Sequence, residues 1–68
     1  MTKKEKNLIE LITAMKILFE EDKTENRDTI ITLLNIIKDH YWDELVNADA
    51  KVVLLYGLLW DVMHRGVA

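Results

Sequence analysis

The chain has no cysteine, no proline and no serine, and only two glycines. Without cysteine there is no disulfide framework, no thiolate zinc module and no redox dithiol. Without serine as well, the two commonest hydroxyl and thiol nucleophiles are missing. Gly57 and Gly66 stand nine residues apart, so no glycine-rich loop cradles a phosphate. Long hydrophobic runs are also lacking. No uncharged stretch exceeds the nine residues of Val52 to Trp60, against the roughly 20 that a membrane-spanning helix needs. Lys3, Lys4 and Lys6 resemble the start of a signal peptide, but Glu10, Thr13, Lys16 and Glu20 interrupt the segment where its apolar core would lie. A cytoplasmic protein with no membrane span is expected.

Apolar side chains are plentiful. Half of the 68 residues are hydrophobic, and 30 large apolar residues remain once the four alanines are set aside. One domain is the sensible count, and intrinsic disorder is disfavoured. Nine Lys and Arg stand against twelve Asp and Glu, for a net charge of -3. That balance argues against binding to a phosphate backbone, which calls for a basic footprint. Residues 49–68 carry only Lys51, Arg65, Asp49 and Asp61, so the last third is the apolar third.

The periodicity predicts three helices, over about 3–22, 27–46 and 50–65. Thr2 and Glu5 form a capping box ahead of the first. Leu8, Leu11, Ile12, Met15, Leu18 and Phe19 share one of its faces, with Ile9 and Ile17 outside that stripe. The wholly polar run from Glu21 to Asp28 separates the first two helices. With no glycine or proline there, Thr24 or Asn26 is the expected N-cap of the second. That helix carries Ile30, Leu33, Leu34, Ile37, Tyr41 and Leu45 as its stripe. Ile31, Trp42 and Val46 widen it on one side and Ile36 on the other. Asn47 or Asp49 is a plausible cap for the third helix, and Gly66 a suitable stop.

The third pattern is the most apolar. Val52, Leu55, Tyr56, Leu59, Trp60, Val62 and Met63 cover at least half of a helical wheel, with Leu54 and Leu58 on the other side. Val52 to Tyr56 also has a fair strand composition, but no second strand exists to pair with it, so a helix is expected. Gly57 costs about 1 kcal/mol relative to Ala within a helix. Its missing side chain either allows another helix to approach closely or is simply tolerated.

Chemistry-bearing groups are sparse. His40 and Glu44 lie four apart on the predicted second helix and could contribute to a metal site with His64 or another carboxylate. No second ligand motif accompanies them, and a solvated helix end accounts for them better. Glu44 projects near the apolar stripe, where an unpaired carboxylate is costly, so Lys51, Arg65 or His64 is the expected partner. No catalytic residue, metal or cofactor is expected.

The reading is therefore an all-α, small three-helix bundle completed by dimerisation. Each helix needs one buried stripe, and the chain supplies more. The candidate interface is Ile9, Ile17, Ile31, Trp42, Leu54, Tyr56, Leu58 and Trp60, with the third helix at its centre. So many exposed apolar groups exceed what monomers usually tolerate, and a two-fold homodimer is the commonest remedy. A helix of a second protein seated in an apolar groove would serve equally. Nucleic-acid binding, with the Lys3, Lys4 and Lys6 cluster as its only support, is the alternative.

Overall fold

The computed structural model describes residues 1–65, all of whose regular structure is helical. The described residues form four helices: α1 (Lys3–Glu20), α2 (Asn26–His40), α3 (Trp42–Val46) and α4 (Ala50–Arg65). The all-α expectation holds, and Val52 to Tyr56 is helical. The count of three helices needs correction, because the predicted second helix is broken. Gly66, the predicted helix stop, lies outside the described residues.

Helix α1 begins as its sequence dictates. The Glu5 N–H donates to Thr2 Oγ1 at 3.1 Å, and the Thr2 N–H donates to Glu5 Oε1 at 2.9 Å. Two donors that have no partner inside the helix are thus satisfied reciprocally. Leu8, Ile12 and Met15 are buried, while Phe19 at the end of the stripe keeps 39% of its surface in solvent.

The helix ends two residues earlier than its periodicity suggests. Asp22 adopts a positive φ of 54°, the left-handed conformation that commonly closes a helix. Its N–H donates to the Phe19 carbonyl, and the Glu21 N–H to that of Ile17, both at 3.1 Å. Asn26 completes the closure. Its Nδ2 donates to the Leu18 carbonyl and to Glu21 Oε1, each at 3.0 Å. Asn26 therefore closes α1 and does not cap α2. The N-cap of α2 is Glu25, which makes no side-chain capping bond.

The second departure is at Tyr41, whose φ of -128° and ψ of 19° leave the helical region. No glycine or proline marks the site. The break re-aims the chain so that Leu45 is buried, while Trp42 and Val46 face outward. Lys4 braces it from α1. Its Nζ donates to the His40 carbonyl at 3.3 Å and stands 5.8 Å from the centre of the Tyr41 ring. A cation at a helix C-terminus is favourable because the last carbonyls carry partial negative charge.

Helix α4 follows Asp49, whose carbonyl accepts from the N–H groups of Val52 and Val53. It buries Tyr56, Leu59 and Met63 against Leu8, Met15, Ile30, Leu34 and Ile37. Full burial of such a side chain is worth roughly 1.5–3 kcal/mol. No polar or charged residue belongs to the core among the described residues. Arg27 ties the far end of α4 to the start of α2, its Nη2 donating to the Met63 carbonyl at 2.8 Å.

Candidate interaction surface

An α-helix has about 3.6 residues per turn, so positions three and four apart share a face. Helix α4 carries two apolar faces by this rule. The inner one runs through Val52, Tyr56, Leu59 and Met63. The outer one includes Val53, Leu54, Gly57 and Leu58, all exposed. Leu54 keeps 71% and Leu58 56% of its surface in solvent. Isolated exposed leucines are ordinary, but these adjoin further apolar surface.

That surface comes from α3. Trp42 and Val46 are about half exposed. Between them and α4 lies a groove of about 370 Å³, floored by Leu45, Tyr56 and Gly57 and walled by Val53 and Trp60. Lys38 is its one charged lining residue. A Cβ added to Gly57 would meet no atom within 4 Å, so among the described residues none fills the space beside this glycine.

The groove wall is stiffened by stacking along α4. Trp60 lies 6.1 Å from the Tyr56 ring and 4.2 Å from the His64 ring, with interplanar angles of 27° and 22°. Lys38 Nζ stands 5.7 Å from the Trp60 ring centre, within cation–π reach. His64 Nδ1 bonds to the Trp60 carbonyl at 2.8 Å; a carbonyl only accepts, so this nitrogen is the donor.

The eight residues picked from the sequence do not form one patch. Trp42, Tyr56 and Trp60 meet in the groove, and Leu54 and Leu58 adjoin it on α4. Tyr56 is mainly a core residue, 8% exposed, whose hydroxyl donates to the Leu34 carbonyl. Ile31 is half-buried and packs against the core. Ile9 lines a separate hollow with Ala48 and Val52, and Ile17 is exposed on α1. Sequence reasoning did not select Lys38, Val46 or Val53 for this surface. Val46 was legible as apolar, but its direction depends on the break at Tyr41.

The polar candidates are dispersed. Glu44 is half-buried. Two of its three suggested partners are engaged elsewhere: Arg65 pairs with Asp61 at 2.6 Å, and His64 with Trp60. Among the described residues, no three His, Cys, Asp or Glu side chains converge on a metal-sized site. No helix there is long and apolar enough to cross a membrane.

Comparison with protein-family models, curated proteins and solved structures finds no match.

Proposed function

We propose that this protein is a non-catalytic protein-interaction module that forms a small helical homodimer through α3 and α4. In this reading it acts as an adaptor, regulator or inhibitor of another protein. The carrying observation is the outward apolar face of α4, continuous with the groove beside Trp42 and Gly57. Large exposed apolar patches mark interaction sites, and Trp is among the residues enriched at binding hot spots.

The nucleic-acid alternative has less support. Lys4 is engaged with His40 and Tyr41, and Glu5 interrupts the lysine cluster. A helix of a second protein seated in the groove fits the same surface.

Sedimentation of the pure chain at high micromolar concentration tests the reading. A dimer that Leu54→Asp converts to a folded monomer supports it. A monomeric wild-type chain overturns it.

A further inference from the structure

The interaction reading leaves open how two copies would meet, and the charges on α4 supply an answer. Lys51, Leu54, Leu58, Asp61 and Arg65 recur at alternating spacings of three and four residues, which places them on one stripe of the helix. All five are exposed. The stripe has a leucine pair at its centre, the cation Lys51 at one end and Asp61, ion-paired with Arg65, at the other. Leu54 and Leu58 are centred on the level of Tyr56, and so are Lys51 and Asp61.

We propose that α4 pairs with α4 of a second copy in an antiparallel, two-fold arrangement centred at this level. The inference rests on the interaction-module reading. Leu54 of each copy then faces Leu58 of the other. The same register sets Lys51 of each copy against Asp61 of the other, twice by symmetry. A parallel two-fold pairing would instead oppose Lys51 to Lys51 and Asp61 to Asp61, and like charges across an interface are repulsive. The antiparallel arrangement also sets the positive end of each helix dipole beside the negative end of its partner.

Asp61 already holds Arg65 of its own chain at 2.6 Å. A carboxylate has two oxygens and about four lone-pair sites, so it accepts Lys51 of the other copy as well. Gly57 lies on the groove side of the stripe, one residue from the symmetry level. The open space where its Cβ would stand gives the facing helix room to approach closely.

The absence of cysteine makes the register directly measurable. Leu54→Cys and Leu58→Cys chains are mixed and oxidised, and the products are resolved by mass. A disulfide needs Cα atoms roughly 4.4–6.8 Å apart. The mixed 54–58 product should dominate over the 54–54 and 58–58 products. In parallel, K51D and D61K should each weaken dimerisation by about tenfold or more, and the K51D/D61K chain should regain it. Circular dichroism confirms that each exposed-site variant stays helical.

A dimer giving mainly 54–54 and 58–58 products overturns the antiparallel register and leaves the interaction reading standing. So does a dimer that cross-links at neither position, or one whose double charge swap brings no recovery. A wild-type chain that sediments as a monomer overturns both.

Discussion

The Tyr56 hydroxyl donates to the Leu34 carbonyl at 3.3 Å, in the buried seam between α4 and α2. This bond ties the rotation of α4 to a fixed point on α2. Tyr56 and Leu59 lie on the inward side of the helix, and Leu54 and Leu58 face outward. The surface proposed to bind a partner is a consequence of that setting.

Tyr56→Phe should lower stability by about 1 kcal/mol, the typical net worth of one such bond. The Leu34 carbonyl lies within α2, so the change does not leave it without a helical partner. For a domain of this size the midpoint of thermal unfolding should fall by roughly 4–8 °C. Calorimetry of the two chains checks this.

The same phenol makes stability depend on alkaline pH. Burial pushes its pKa above the ordinary 10.0, and the nearby Asp39 charge adds to the effect. The folded state thus holds the proton more tightly than the unfolded state. The corresponding stability is fully present below about pH 10 and is lost as pH rises through the higher folded-state pKa. In a Tyr41→Phe chain, the tyrosinate absorbance should appear later under native conditions than in denaturant. Coincident titrations would contradict the burial argument.

Gly57→Ala should have opposite effects on the fold and on the dimer. The new methyl meets nothing within 4 Å in one copy, and alanine is the better helix former. The single chain should gain about 0.5–1 kcal/mol. Dimerisation should weaken, since the added Cβ occupies space assigned to the facing helix. Denaturation at low micromolar concentration and sedimentation at high concentration read the two effects separately.

Leu59 and Leu54 should differ sharply although both are leucines of α4. Leu59 is 1% exposed, so Leu59→Ala should cost about 2–5 kcal/mol. Leu54→Ala should change the stability of one folded copy by no more than about 0.5 kcal/mol. Urea denaturation at dilute concentration, where self-association is minimal, provides the comparison.

The capping box predicts acid fraying of α1. The Thr2 backbone N–H, then the Thr2 hydroxyl, hold the Glu5 carboxyl below its ordinary pKa of 4.5. That contribution is present above about 4.5 and is lost as pH falls through the depressed folded-state value. The protection of the Glu5 amide, taken relative to its intrinsic exchange rate at each pH, should fall over that window, and Glu5→Gln should flatten the dependence.

Local spacing in the sequence determined much of this protein. The capping box at Thr2 and Glu5, the helical stripes and the outward leucines of α4 each depend on residues within a turn or two. The polar run from Glu21 to Asp28 marked the α1–α2 connection for the same reason. Only tertiary structure decided how that connection is closed. Asn26 had the composition of an N-cap, but its amide reaches back to Leu18 and Glu21, and Asp22 takes the left-handed turn that a glycine would ordinarily supply. The break at Tyr41 likewise has no local signature. Its freed carbonyl at His40 is met by Lys4, thirty-six residues away, and beyond it Trp42 and Val46 face outward. Periodicity states which residues share a face. Contacts between distant segments decide where one face ends and which of two apolar faces turns toward the core.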